Sequence, residues 1–270
     1  MAQTKIDFSG VVVCYNEAHW LPQCLGSLDF CQELIVVDLG STDNSVHVAK
    51  ELGAKVLFHE RLPHPNVPRQ YGISQAKNEW VFTIDADEIF SKDEIDKVEA
   101  VLLERPDLDA VRVPIQYYFK RKKLNCTVWG RPGITRWTVI HRDHAVGTPY
   151  AHHEFKLDQN IYYFSWSEIK PIKHYWRNSY RELIEKMWPY IKIEGEARYD
   201  RGERFSWLKI LKSTVATLKL NLVNYRGLYG GFTGIVLSLI RTWYVFMRWL
   251  SLRDYERGLE LRQKEQHYGT

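Results

Sequence analysis

The sequence predicts an α/β fold with a mostly parallel central sheet, followed by a helical C-terminal segment. Short apolar runs alternate with helical spacing over the first third of the chain, as in successive strand–helix–strand units. Three of these runs pass directly into polar or acidic residues. The composition is that of a folded globular protein, with 45% hydrophobic and 26% charged residues.

Four buried strands are predicted in this first third, over Phe8–Cys14, Glu33–Asp38, Lys55–Phe58 and residues 79–85. Helices are predicted between them, over residues 20–28, 46–52 and 68–76. Ligands bind beyond the carboxyl ends of parallel strands, so polar residues there are expected to share one edge of the sheet. These residues are Asn16, Glu17, Asp38, Asp43, Asp85 and Asp87.

The rest of the chain predicts further helices and a strand. A helix is expected over residues 93–105, a strand over 110–115, and a helix over about 180–198 that Pro189 interrupts or bends. From about Phe205 the sequence changes to long apolar stretches. An apolar stretch at residues 208–222 carries three lysines, and a glycine-rich turn leads into a second apolar stretch at 232–252.

The last apolar stretch is broken by Arg241 and Arg248, seven residues apart and so on one helical face. No charge-free run reaches the roughly 18–20 residues of a spanning helix. A basic stripe with large aromatic residues elsewhere favours a helix that lies in the membrane interface. A helix that caps the core, or one that forms a dimer interface, would show the same pattern.

The bulk properties exclude little. A net charge of +4 is too small to indicate nucleic-acid binding. The 14% aromatic content suits sugar-stacking clefts and membrane interfaces, and it also suits ordinary cores. The four cysteines lack metal-binding spacing and are expected to be reduced. Because the N-terminal residues run straight into a strand, no signal peptide is expected, and we place the chain on the cytoplasmic side.

The segment Asp85-Ala86-Asp87-Glu88 is the main candidate for chemistry. Carboxylates two residues apart can present oxygen ligands to Mg²⁺ or Mn²⁺, which leave positions open for substrate phosphates. A diphosphate bound in this way is stabilised as a leaving group. An acidic solvated turn would have the same residues, but the position after an apolar strand, beside Asp38, favours the metal site.

Three motifs in register carry a family resemblance. They are the segments 12–17 (VVCYNE), 35–43 (IVVDLGSTD) and 80–88 (WVFTIDADE). Their order and spacing resemble family 2 of the glycosyltransferases, inverting enzymes with a GT-A fold. The later part resembles the lipopolysaccharide-core branch, through residues 152–154 (HHE), 172–175 (IKHY) and 230–234 (GGFTG).

The resemblance implies roles for the residues of the first two motifs. Asn16 and Glu17 would hold the ribose or the base, and Asp38 would accept a hydrogen bond from uracil, which implies UDP as the nucleotide. Arg69 would contact the diphosphate or the base; without the resemblance it would be read as a surface arginine. Cys14 and Ala86 belong to the matching motifs and are counted with the nucleotide-sugar-binding residues.

The resemblance also implies a metal site and a base. Asp87 would bind the metal directly, with Asp85 acting as a further ligand or through sugar hydroxyls. His174 would be the C-terminal metal ligand and would favour Mn²⁺ over Mg²⁺; otherwise it is a packed or surface histidine. Glu154 is the candidate catalytic base, against a structural glutamate paired with a neighbouring histidine, and Glu88 is the alternative base.

The basic segment after residue 129 would form a loop over the donor. There Arg131 or Arg136 would neutralise the diphosphate, although an ordinary turn fits the same residues. The resemblance divides the chain into a catalytic domain at 1–200, with a donor half at about 1–92 and an acceptor half at about 93–200. Residues 201–270 would then form an amphipathic helical region for membrane contact or for self-association.

The predicted activity is transfer of a sugar from a UDP-sugar to a glycan acceptor. The acceptor would be lipopolysaccharide core or another envelope polymer at the inner face of the cell membrane, or alternatively a lipid-linked glycan or a protein. A nucleotidyltransferase is disfavoured, because residues 10–20 offer one glycine and no lysine or arginine for a triphosphate loop. A non-catalytic membrane-associated protein is disfavoured by the acidic and histidine residues named above.

Overall fold

The computed structural model describes residues 5–62, 65–147, 155–156 and 160–268. Two compact units can be distinguished by their internal contacts. The first comprises Met1–Tyr118 and Pro132–Trp176, and the second comprises Phe119–Arg131 and Arg177–Thr270. Residues 177–200, expected in the catalytic domain, cluster with the C-terminal helices, and the functional boundary at residue 200 stays a prediction.

The strands in the described ranges are numbered in chain order. They are β1 Phe8–Cys14, β2 Glu33–Asp38, β3 Lys55–Phe58, β4 Trp80–Asp85, β5 Glu88–Ile89, β6 Ala110–Phe119, β7 Lys122–Lys123, β8 Thr135–His141, β9 Val146–Gly147, β10 Phe155–Lys156, β11 Ile161–Tyr163 and β12 Ile172–Arg177. The four strands predicted in the first third are all present. The fourth begins one residue later than expected.

The sheet is parallel where the sequence predicts it to be. Strands follow the order β3-β2-β1-β4-β8-β6-β12-β5, and the first four are parallel to one another. The register sets Cys14 opposite Asp38, and Val13 opposite Asp85. The carboxyl ends of β1, β2 and β4 are therefore level, and their following loops meet at one edge. Antiparallel β8 and β6 extend the sheet beyond β4.

Both faces of the sheet are covered. The helices of the first unit are α1 Leu21–Gly26, α2 Ser45–Glu51, α3 Asn66–Ser74 and α4 Ile95–Glu104. Every residue of β1 is buried, as expected for a central parallel strand. On one face Phe8 and Phe82 stack edge-to-face at 5.3 Å. Each such fully buried side chain contributes roughly 1.5–3 kcal/mol.

Helix α3 approaches the sheet closely because it carries Gly72. A Cβ at this position would lie 2.7 Å from side-chain carbons of both Val11 and Val37. The missing side chain lets the helix rest directly on β1 and β2. The same approach brings Arg69, one turn earlier on α3, to the edge where the strands end.

The second unit is helical. It contains α5 Thr127–Gly130, α6 Tyr180–Asp200, α7 Trp207–Lys219 and α8 Gly231–Tyr268. Helix α6 continues through Pro189, so the expected interruption is wrong, while the alternative of a bend there stays a prediction. Helix α8 is longer than the predicted 232–252, and it packs tightly on α6 at Gly195, whose N–H donates to Ser251 Oγ at 3.1 Å. A single π-helical turn, Leu220–Asn224, follows α7.

The stripe predicted at Arg241 and Arg248 is not a solvent-facing basic stripe. Arg248 donates to Glu194 Oε1, and Glu194 is buried. The same oxygen accepts from Arg198 Nε at 3.2 Å. Burial lowers the pKa of Arg241. Arg248 therefore stabilises the contact between α6 and α8, because its charge and that of Glu194 need an internal partner. Within the described residues, one helical stretch, Leu228–Leu261, is long and apolar enough to cross a membrane.

We expect Gly72→Ala to lower the free energy of unfolding by about 1–3 kcal/mol, because the added methyl group overpacks the contact between α3 and the sheet. Urea denaturation followed by circular dichroism measures the change. Gly26→Ala is the matched control, since a Cβ there meets no atom within 4 Å. Equal effects of the two substitutions would contradict this account of Gly72.

Candidate active site

The loops that follow β1 and β2 are joined by hydrogen bonds. Asn16 has a positive φ of 55°, and its N–H donates to Ser41 Oγ at 2.9 Å. Its side-chain Oδ1 accepts the N–H of Thr42 at 2.7 Å. The N–H of Glu17 donates to Ser45 Oγ at 3.0 Å. The sequence analysis singled out Asn16 and Glu17 and missed these two serines, whose only signal was their position in a turn.

Asp38 is buried at the end of β2, and its carboxylate organises its own loop. Its Oδ2 accepts the N–H groups of Gly40 at 3.0 Å and Ser41 at 3.1 Å. Its predicted contact with uracil stays a prediction. Cys14 lies opposite it on β1, and burial raises the pKa of the thiol to about 11. The thiol is therefore protonated at neutral pH, and Cys14 offers no nucleophile or metal ligand there.

Two arginines hold Asp85, the last residue of β4. Arg69 Nη2 lies 2.5 Å from Asp85 Oδ1, and Arg136 Nη1 lies 3.6 Å from Asp85 Oδ2. Arg69 is 3% exposed, so it is no surface arginine. The arrangement places Arg69 and Arg136 beside the predicted metal segment, where each compensates a carboxylate. Arg131, the other candidate of the loop, belongs to the second unit and lies over the ring of Tyr225.

Glu88 is the most deeply buried carboxylate of this segment. Its Oε2 accepts from Arg136 Nη1 and from the N–H of Asp85, the latter at 2.8 Å. Burial raises the pKa of Glu88, while Arg136 and His174 act against that rise. A glutamate so enclosed is suited to positioning its neighbours, which disfavours the alternative in which Glu88 is the base. Ala86 is also buried, and its small side chain packs in the core.

The pairing of β12 with β5 brings His174 to the acidic segment. His174 is opposite Glu88 in the register, and the N–H of Tyr175 donates to the carbonyl of Asp87 at 2.9 Å. As a result, His174 Nε2 lies 3.3 Å from Asp87 Oδ1, and Nδ1 lies 3.4 Å from Glu88 Oε1. All three side chains are buried. The sequence analysis named Asp87 and His174, and the fold places them side by side.

The donor set at this point fits a divalent cation. A carboxylate oxygen and an imidazole nitrogen suit Mn²⁺. No group of three or more His, Cys, Asp or Glu that could hold a metal occurs among the residues that the structure describes. Mg²⁺-type sites commonly take one or two protein ligands and complete their shell with phosphate oxygens and water. Asp87 and His174 are therefore the residues that would hold a metal together with a diphosphate.

An aromatic stack lies beside the histidine. Tyr175 stacks on Trp20 at 4.7 Å between ring centroids and on Tyr118 at 5.0 Å. Tyr117 lies against His174 at 4.8 Å. The sequence analysis did not assign these residues to the site, because aromatic residues fit a core equally well. Their stacking fixes β12 and so helps to hold His174 in place.

Glu154, the predicted base, and its neighbours His152 and His153 lie outside the described residues. The other predicted residues fall into two groups. Cys14, Asn16, Glu17 and Asp38 lie on the loops and ends of β1 and β2. Arg69, Arg136 and His174 surround the segment 85–88. The register of the parallel strands brings the two groups to one edge.

Comparison with known sequences matches this chain to one protein family. The model described as glycosyl transferase family 2 matches residues 9–151. An uncharacterized glycosyltransferase of Rickettsia prowazekii (strain Madrid E) is 24% identical over 257 residues, 91% of this chain and 86% of that protein. A lipopolysaccharide core biosynthesis glycosyltransferase of Rhizobium meliloti (strain 1021) is 33% identical over 92 residues, which is 33% of this chain. That match spans 34% of the relative's length.

Among solved structures, glucosyl-3-phosphoglycerate synthase from Mycobacterium tuberculosis is similar in fold. Its complex with Mn²⁺, UDP and glucosyl-3-phosphoglycerate aligns with a TM-score of 0.50 and 16% identity. The alignment covers 76% of this chain and 83% of that one. At this level of identity the likeness establishes the fold alone.

We expect Arg136→Met to lower the free energy of unfolding by roughly 3–5 kcal/mol, because it leaves a buried carboxylate without its guanidinium. Urea denaturation measures this loss. The double variant Arg136→Met/Glu88→Gln should lose less than the single variant. Arg181→Met is the control, since the pair of Arg181 with Glu185 is exposed and its loss should leave the free energy of unfolding nearly unchanged.

The loss in Arg136→Met should also depend on pH. Burial raises the folded-state pKa of Glu88, and removing Arg136, which acts against this rise, raises that pKa further. The folded variant then binds more protons than the unfolded chain, so the stability cost of ionising Glu88 grows as the pH rises above its ordinary pKa of 4.5. The variant should therefore come closer to the parent protein near pH 5 than at pH 8. A difference in unfolding free energy that stays constant with pH would contradict the role given to Glu88.

Proposed function

Because this chain belongs to glycosyl transferase family 2 and has the GT-A fold, we propose that it transfers a sugar from a UDP-sugar to a glycan acceptor with inversion. One observation carries the proposal beyond the family. Asp87 and His174 come from distant parts of the sequence, and their oxygen and nitrogen atoms lie 3.3 Å apart. This pair stands at the carboxyl edge of the parallel sheet, where such folds bind ligands.

The donor would lie along the ends of β1 and β2. Asn16 and Asp38 shape the two loops there, because their side chains accept the backbone N–H groups of Thr42 and Gly40. The family resemblance assigns the base and ribose to these loops, and the mycobacterial synthase of similar fold was solved with UDP. We therefore assign the nucleotide to this edge and its diphosphate to the neighbourhood of Asp87.

The metal in this proposal is Mn²⁺ or Mg²⁺, held by Asp87 and His174 and by oxygens of the diphosphate. When bound, it neutralises the charge that develops on the departing diphosphate. Arg69 holds Asp85 so that its carboxylate stays beside Asp87. Asp85 retains an edge toward solvent, with 31% of its side chain exposed, and we assign it to contacts with the metal's water shell or the sugar.

The transfer forms one bond and breaks another. An acceptor hydroxyl oxygen bonds to the anomeric carbon from the face opposite the diphosphate, and the bond from that carbon to the diphosphate oxygen breaks. UDP leaves with the electron pair. A base takes the hydroxyl proton, and we retain Glu154 for this role. The acceptor that we favour is a membrane-borne envelope glycan at the cytoplasmic face, a class that includes the lipopolysaccharide core named for the Rhizobium relative.

The proposal is tested by turnover of a panel of nucleotide-sugars with Mn²⁺, Mg²⁺ or chelator, with and without membrane extract as acceptor. We expect release of UDP from a UDP-sugar, dependent on the metal and stimulated by the extract. Asp87→Asn and His174→Ala should each lower this rate by more than about 100-fold.

Matched controls separate the site from general effects of charge. Asp93→Asn and His47→Ala change residues whose side chains are 76% and 71% exposed, and they should keep the parent rate. Release of pyrophosphate from a nucleoside triphosphate, with no turnover of any nucleotide-sugar, would instead indicate a nucleotidyltransferase and would refute the proposal.

Glu88 is expected to orient His174 for the metal. Its Oε1 lies 3.4 Å from Nδ1, on the side of the ring away from Asp87, so it favours the tautomer whose Nε2 lone pair faces Asp87. We expect Glu88→Gln to weaken Mn²⁺ binding in the presence of UDP by about 10–100-fold. Electron paramagnetic resonance of free Mn²⁺ measures this independently of turnover. Unchanged Mn²⁺ affinity in a folded Glu88→Gln protein would argue against the positioning role.

A further inference from the structure

The helical unit exposes a group of apolar side chains on α7, on the start of α8 and on the turn between them. We call residues 207–239 the hairpin. On α7, Leu208, Leu211 and Val215 follow at helical spacing and are each more than half exposed. Ile210 faces the other way, is buried, and packs in a cluster with Trp249 of α8. Helix α7 is thus apolar on both its inner and its outer face.

The tip of the hairpin also carries exposed apolar side chains. Tyr229 is 87% exposed and Phe232 is 76% exposed, and Leu239 continues the exposed side of α8. The backbone at this tip is fixed from within. Asn221 is buried, its Oδ1 accepts the N–H of Val128 at 3.0 Å, and its carbonyl accepts the N–H of Gly227 at 2.9 Å. The exposed rings therefore project from an ordered turn.

The charged residues of this region are all basic. Between residues 204 and 253 the sequence has no aspartate or glutamate, and it has eight basic residues. Four of them lie on the hairpin and are exposed: Lys209, Lys212, Lys219 and Arg226. Continuous exposed apolar surface is unusual for a monomeric protein and marks an interaction site. Exposed apolar groups interspersed with cations fit a partner surface whose outermost groups are anionic and whose deeper layer is apolar.

We propose that the hairpin docks onto the anionic surface of a lipid bilayer, with Tyr229 and Phe232 inserted among the headgroups and the lysines facing the phosphates. Amphipathic helices with basic and aromatic residues bind membranes in this way. Two hairpins pressed together would bring eight like charges into one interface, which disfavours a second copy of this chain as the occupant.

A peripheral position also agrees with the packing of α8. Although Leu228–Leu261 is apolar enough to span a membrane, Arg248 within it is engaged with the buried Glu194 of α6. Leaving α6 to enter a bilayer would expose these charges to hydrocarbon. The docking surface therefore replaces the stripe of Arg241 and Arg248 as the part of the chain that meets the membrane.

The proposal is tested with the full-length protein by sedimentation with vesicles of phosphatidylcholine alone or mixed with phosphatidylglycerol. We expect binding to the mixed vesicles, weak binding to phosphatidylcholine, and release by high salt. Tyr229→Ser/Phe232→Ser and Lys212→Glu/Lys219→Glu should each weaken binding at least about tenfold. Circular dichroism and thermal unfolding establish that the variants are folded.

Matched controls use the first unit. Leu103→Ser removes an exposed apolar side chain from α4, and Lys50→Glu/Lys55→Glu reverses two exposed lysines. Both should bind vesicles as the parent does. Vesicle binding does not require the active-site residues, so Asp87→Asn should also bind normally. The docking and the catalytic proposals can thus fail separately.

Three results would overturn the proposal. Equal loss in the control variants would show that the hairpin is not the contact. A change of oligomeric state in Tyr229→Ser/Phe232→Ser, seen by light scattering without a change in vesicle binding, would assign the surface to a second copy. Membrane-bound protein that resists both high salt and alkaline carbonate would show that α8 spans the bilayer.

Discussion

Three carboxylates within four residues, Asp85, Asp87 and Glu88, have to be held together at the edge of the sheet. Asp87 and Glu88 are buried, so water does not solvate their charges. Burying these charges costs free energy unless other groups compensate them. The partners come from distant elements: Arg69 from α3, Arg136 from β8 and His174 from β12. The packing of these elements and the charge balance of the acidic segment therefore depend on each other.

This constraint also separates the roles of neighbouring residues. Asp85 is engaged by two guanidinium groups, whereas Asp87 faces an imidazole. Glu88 meets the far side of the same imidazole, as a carboxylate does behind many metal-binding histidines. The pairing of β12 with β5 fixes the distances from His174 to Asp87 and Glu88. A register shift by one residue would turn His174 to the opposite face of the sheet and remove it from Asp87.

In the helical unit a buried carboxylate compensates arginines, whereas in the first unit cations compensate buried carboxylates. Its sequence is rich in arginine, and the buried Glu194 compensates Arg198, Arg201 and Arg248. Arg198 and Arg248 are engaged inside the unit, with side chains only 11% and 14% exposed, so they do not face a partner. The lysines of α7 remain at the surface beside exposed leucines. Which cations face outward is decided by their position relative to α6 and α8, which the spacing within α8 alone does not reveal.

The sequence by itself determined the parallel strands, their acidic ends and the family, because continuous apolar runs and local motifs depend on neighbouring residues. It also named Asp87 from the acidic segment after the fourth strand, and His174 through the family resemblance. The tertiary structure decided what those residues contact. The burial of Arg69 and Arg136, the position of Glu88 behind His174 and the inward arginines of α8 arise from contacts between segments far apart in the chain, where one shift in strand register or helix rotation changes every partner.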